Sequence, residues 1–253
     1  MPPEFVTENN GPSEPGYFGK IPTHGDFVFR GLPKSFTQPW DAWLQEAITA
    51  SRKQLGEQWL DHYLTSPIYR FALSAGICGT STWLGILMPS VDRVGRYYPM
   101  TISALAHPST NALIALQQYD SWFEQIETLA LTCLQDEFEV DSFNDRLTQL
   151  TLEIQQNLHE ESLSATPSES SIDFAWQRPV EQVTEITGLL PDLLDDLIKE
   201  FCLAYSVWWT QGSEQVAASL LVCEGLPPFE GMAALFDGNW QKWGWENRRF
   251  PLL

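Results

Sequence analysis

The chain has 253 residues, 43% of them hydrophobic and 13% aromatic with eleven Trp, which excludes general disorder and supplies enough apolar side chain for a proper core. Fourteen Lys and Arg stand against 33 Asp and Glu, and the formal net charge of −19 sets the chain against nucleic-acid backbones and anionic membrane surfaces. No apolar run approaches the roughly 18–20 residues that cross a bilayer, and Met1-Pro2-Pro3-Glu4 lacks the basic and apolar stretches of a secretory signal, so a cytoplasmic protein without membrane insertion is expected.

Residues 1–15, rich in Pro, Asn and Glu, read as a flexible leader, and residues 16–253 as a single domain. Gly16–Ile21 is a short strand stopped by Pro22, and Phe27-Val28-Phe29 is a second extended piece. Pro39 then suits the first turn of a helix, where its missing N–H costs nothing. From there Trp40, Trp43, Leu44, Ala47, Ile48, Ser51 and Leu55 recur at three- and four-residue steps and make one apolar stripe.

Tyr69–Leu73 alternates as a half-buried strand does, whereas Trp83–Met88 is apolar throughout and belongs in the centre of a sheet. Tyr97–Leu105 is a further strand, with Pro99 placing its start at an edge or bulge. The connection Ser90–Gly95 is too short for a parallel crossover, so these last two strands form an antiparallel hairpin.

The middle of the chain is acidic, with 3 basic and 19 acidic residues between 111 and 200. Leu113, Leu116, Phe123, Ile126, Ala130 and Cys133 line one long helix, and Phe143, Leu147, Leu150, Ile154 and Leu158 line a second capped by Asp141 or Ser142. The carboxylates fall on the opposite faces, either as a solvated surface or as a docking surface for a basic protein. Residues 160–171 read as a flexible Ser-rich loop, and a third helix starts at Pro191 with Leu194, Leu197, Ile198 and Phe201 inward.

Leu203–Thr210 and Gln215–Cys223 are two more strands about a turn, and a helical turn near Phe229–Phe236 precedes Trp240, Trp243 and Trp245. Hairpins separated by helices imply an α/β fold of the α+β type, a mixed, mainly antiparallel sheet packed between helices as a layered sandwich.

No catalytic constellation emerges. Gly79-Thr80-Ser81-Thr82-Trp83 ends in Trp where a nucleophile elbow needs Gly. Cys78, Cys133, Cys202 and Cys223 stand far apart in apolar runs, which reads as buried, reduced thiols without metal-ligand spacing. His24 and Asp26 can offer two ligands from one turn, with His62 or His107 completing a set through the fold, or they can simply hydrogen-bond a turn between strands.

Three features remain as candidate surfaces. Lys20, His24 and Asp26 lie in a turn whose Gly and Pro residues suggest close backbone approach. Asp92, Arg93 and Arg96 crowd a tight connection, either as an exposed basic loop for an acidic or phosphate group or as an Arg–Asp pair that fixes the hairpin. Trp208 and Trp209 are adjacent in a strand and point to opposite faces, so both faces need cover, from helices or from a partner.

GYFGKIPTHGDFVFRGLP, then PWDAWLQEAITASRKQLGEQWLDHYLTSPIYRFALSAGICG, then MPSVDRVGRYYPMTI resemble blocks of the TagF (also called ImpM) family of type VI secretion accessory proteins, and SVWWTQGSEQVAASLLVCEGLPP is similar to its C-terminal block. The resemblance implies a cytoplasmic bacterial regulator rather than an enzyme. Its expected partner is a forkhead-associated (FHA) scaffold protein of the secretion system, bound so as to hold the apparatus inactive after translation. It implies no cofactor and no metal, and carries over no catalytic residues. The alternatives are an enzyme with a cleft of His24, Asp26, Arg93 and Arg96, or a structural subunit of the apparatus.

Overall fold

The structure, a computed structural model, describes residues 13–107, 110–152, 182 and 186–246. The expected Ser-rich loop at 160–171, Ile154 and Leu158, and all but the last residues of the expected leader lie outside the described residues.

Seven strands form one sheet: β1 (Gly16–Gly19), β2 (Val28–Arg30), β3 (Tyr69–Leu73), β4 (Trp83–Met88), β5 (Met100–Leu105), β6 (Tyr205–Gly212) and β7 (Ala217–Glu224). Their spatial order is β2-β1-β5-β4-β3-β6-β7, and every pairing is antiparallel. The parallel pairs of a mixed sheet do not occur among the described strands; the α+β class stands. The hairpin expected about residues 90–95 is present, with Met88 opposite Met100 and Trp83 opposite Leu105. Pro99 lies just before β5, so the strand keeps its full ladder in the sheet interior.

Two layers of helix cover the sheet. On one face lies α1 (Lys34–Leu55), followed by α2 (Trp59–Leu64). Phe36, Trp40, Trp43 and Leu44 of α1 pack there with Phe71, Leu73, Trp83, Trp208 and Leu221. On the other face lie α3 (Ala112–Gln118), α4 (Asp120–Leu131) and α5 (Val140–Thr148), with α6 (Ile186–Phe201) beside α3. Phe123, Ile126, Leu129 and Phe143 from these helices meet Leu84, Ile86, Ile102 and Val207 of the sheet. The short α7 (Ala234–Asp237) returns to the α1 face, where Leu235 is buried.

Several boundaries differ from the sequence expectation. Helix α1 begins at Lys34 behind Pro33, and Pro39 sits inside it. Proline there forfeits one backbone bond, but Phe36, one turn before Trp40, extends the buried stripe and holds the extra turn. The long acidic helix is two helices broken at Tyr119, whose backbone leaves the helical region at φ −107°, ψ 24°. Glu139, not Asp141 or Ser142, occupies the N-cap of α5, and its side chain makes no capping bond. Helix α6 starts at Ile186, before Pro191, and its Leu194 and Phe201 are exposed rather than inward. Strand β3 is buried on both faces, and β7 leaves Leu220 and Val222 exposed at the sheet edge.

Cys78, Cys133 and Cys223 are buried, and burial pushes each thiol up to about 12. Thiolate is the reactive form, so these three should be inert near neutral pH. A thiol reagent such as dithionitrobenzoate is expected to label only Cys202 rapidly in the native chain and all four cysteines after denaturation. Rapid labelling of a second thiol in the native state would contradict this packing.

Candidate functional site

The turn after β1 and the connection between β4 and β5 meet at one corner of the sheet. Gly19 allows this approach, because with φ at +150° a Cβ on it would stand 2.2 Å from the carbonyl oxygen of Pro99. Arg93 N–H donates to the His24 carbonyl at 2.9 Å, and the Ser90 hydroxyl donates to the Lys20 carbonyl at 2.7 Å. The Arg96 guanidinium donates to the Gly25 carbonyl. Behind them the Tyr63 hydroxyl of α2 donates to the Ser90 carbonyl at 2.8 Å and accepts the Ser90 N–H at 3.0 Å.

Asp92 is the centre of this corner. One carboxylate oxygen accepts from the Val94 and Arg96 N–H groups at 3.0 and 2.8 Å, closing the turn that Gly95 completes at φ +84°. The other accepts from Lys20 Nζ at 2.8 Å and Arg96 Nε at 2.6 Å. The Asp92 side chain is fully buried and that of Lys20 nearly so. Burial alone would raise the Asp92 carboxyl, but the bonds from Lys20, Arg96 and the turn N–H groups outweigh it and hold it well below the usual carboxylate range. The connection is therefore fixed by an Arg–Asp pair, with Lys20 as a second, long-range partner.

The remaining corner residues face outward. His24 Nδ1 lies 3.0 Å from the Thr23 hydroxyl, and the exposed Asp26 carboxylate accepts its neighbour's N–H at 2.8 Å. His24 and Asp26 thus turn to local partners rather than to each other. Arg93 is exposed and makes no ion pair among the described residues. Phe27 stacks on Phe18 and meets Tyr98 edge-on at 4.8 Å, with Lys20 Nζ 5.0 Å from its ring centre.

Trp208 does not share this surface. It is fully buried, stacked 6.0 Å from Trp40 and tilted against Phe71 at 5.3 Å, and its Nε1 donates to the Ser206 hydroxyl. Trp209, partly exposed on the opposite face, lies 4.8 Å from the Arg70 guanidinium.

Arg70 carries a cluster that the sequence pattern missed. It is 1% exposed, and its guanidinium donates to both Glu127 oxygens at 2.7 and 2.9 Å and to Asp120 at 2.5 Å. A lone cation inside an apolar strand was the available signal, since a buried charge calls for a partner. Glu127 is consequently bound to the core and is not a free surface acid, in contrast to the exposed Glu124, Asp136 and Glu137. Among the described residues, no three His, Cys, Asp or Glu side chains are grouped to hold a metal ion, and no helix is long and apolar enough to cross a membrane.

Comparison with known proteins places this architecture. A family profile described as the TagF N-terminal domain, type VI secretion system-associated, matches residues 16–150. Among solved structures, the crystal structure of PA0076 from Pseudomonas aeruginosa PAO1 is similar, with a TM-score of 0.73 and 34% identity over 94% of this chain and 98% of that one. No curated protein matches. The residues matched by the profile supply β1 to β5 and the corner about Asp92, and by that match, over more than half of its length, the chain belongs to the TagF family of type VI secretion system-associated proteins.

Proposed function

We propose that the chain is a post-translational repressor of type VI secretion, acting in the cytoplasm by binding an FHA-domain scaffold protein rather than by catalysis. Membership of the TagF family, matched over residues 16–150, is the observation that carries this reading. The corner about Asp92 supports it. The buried Asp92 is matched by Lys20 and Arg96, and the loops are cross-linked by backbone bonds, as suits a rigid platform for another polypeptide.

Purified chain is expected to retain the FHA scaffold of its own secretion system in a pull-down, and its overproduction to lower secretion without lowering the amounts of the apparatus proteins. Failure of both would remove the reading. Stoichiometric recovery with the assembled apparatus would instead indicate a structural subunit.

A further inference from the structure

The corner carries a surface opposite in charge to the exposed faces of the acidic helices. Phe29 is 74% exposed, Val94 65% and Phe27 37%, so three large apolar side chains of β2 and the two connections that meet here stand partly in solvent. Arg30, Arg93 and Arg96 are exposed around them, while the buried Asp92 is matched by Lys20 and Arg96 together. Asp26 is the one exposed acid between Lys20 and Arg30 and between Asp92 and Arg96. In a chain of net charge −19, this is a cationic and aromatic patch.

The patch also sits on a sheet edge. Strand β2 is the outermost of the seven, and its outer backbone groups pair with no strand among the described residues. Phe29, opposite Phe18, projects on the α1 face, and Arg30, opposite Tyr17, on the other. An extended segment added to this edge would therefore meet an apolar side chain and a cation in alternation, with Arg93 and Arg96 beyond the start of the strand.

We infer that the edge of β2, with Phe27, Phe29, Val94, Arg30, Arg93 and Arg96, docks an extended segment of a partner protein in which acidic and apolar residues alternate. This rests on the proposed reading for its natural partner, and it adds the surface and the chemistry that surface selects. Charge complementarity sets the direction: an acidic segment is repelled by the acidic helices and attracted by the Arg residues here, which guides it to the edge.

The probe is a short fluorescent peptide alternating Glu and Leu, read by anisotropy against a counterpart with Lys in place of Glu. The native chain is expected to bind the acidic peptide and not the basic one, less tightly as salt rises. Arg93→Glu and Phe29→Ser are each expected to weaken binding about tenfold or more, and Glu124→Lys on α4 to change it little. Both altered side chains are exposed, and unchanged thermal unfolding of at least one variant shows that the fold is intact. Equal binding of the two peptides, or acidic-peptide binding unchanged in Arg93→Glu, would overturn the inference. Scaffold capture is measured with the same variants. Capture that survives both substitutions sinks this surface and leaves the repressor reading standing; peptide binding at the corner without any scaffold capture does the reverse.

Discussion

A fragment ending at Leu152 is expected not to fold, although it contains the whole stretch matched by the family profile. It lacks β6, which pairs with β3 from Arg70 opposite Trp209 to Leu73 opposite Ser206. Removing β6 bares the β3 edge and withdraws Trp208 from its contacts with Trp40, Trp43 and Phe71. The loss continues beyond the strand. Trp43 Nε1 donates to the Pro227 carbonyl, Tyr69 to that of Leu235, and Gln54 to those of Phe229 and Glu230. Losing one fully buried Trp side chain costs about 3–5 kcal/mol, of the same order as the whole stability of many domains. The fragment should bind a hydrophobic dye and show no cooperative thermal transition by circular dichroism. A sharp transition would show that the N-terminal stretch is a unit without its C-terminal strands.

Asp92→Asn is expected to destabilise the full chain by about 3–5 kcal/mol, because it leaves the buried Lys20 ammonium without its counter-charge. For a domain of this size that lowers the melting temperature by roughly 10 °C. The effect has a defined pH dependence. The folded state holds the Asp92 carboxyl below its ordinary value, so the contribution is full above the unfolded value of about 4 and is lost as pH falls through the folded value. The gap between native and variant chains should therefore be constant near neutrality and narrow below about pH 4. Thermal melts across that range check it, and a gap that widens on acidification would contradict the assigned hydrogen bonds.

These two results lie at different distances from the sequence. The local elements were legible wherever periodicity or a short connection constrained them: the Trp40–Leu55 stripe gave α1, and the brief Ser90–Gly95 link forced the β4–β5 hairpin. The break at Tyr119 was not, because the stripe runs through Gln117, Gln118 and Tyr119 with no Gly or Pro, and the turn there depends on how both helices lie on the sheet. Pairing of β3 with β6 was equally hidden, since it joins strands more than a hundred residues apart and neither carries a local mark of its neighbour.

The candidate site divides the same way. Asp92 and Arg96 lie four residues apart in a tight turn, and their pairing was one of two readings their spacing allowed. Lys20 as the second cation comes from another loop, and only the fold brings it to 2.8 Å. Trp208 and Trp209 point to opposite faces as strand geometry requires, but which one the helices bury was set by the aromatic cluster of α1. Phe29 and Val94 are ordinary apolar residues in sequence, and exposure alone marks them out.

Hydrogen–deuterium exchange of the chain, alone and with saturating FHA scaffold, tests most directly that it works by gripping another polypeptide. Slowed exchange confined mainly to residues 22–30 and 92–97 is the predicted result. Exchange unchanged along the whole chain at saturating scaffold would contradict it.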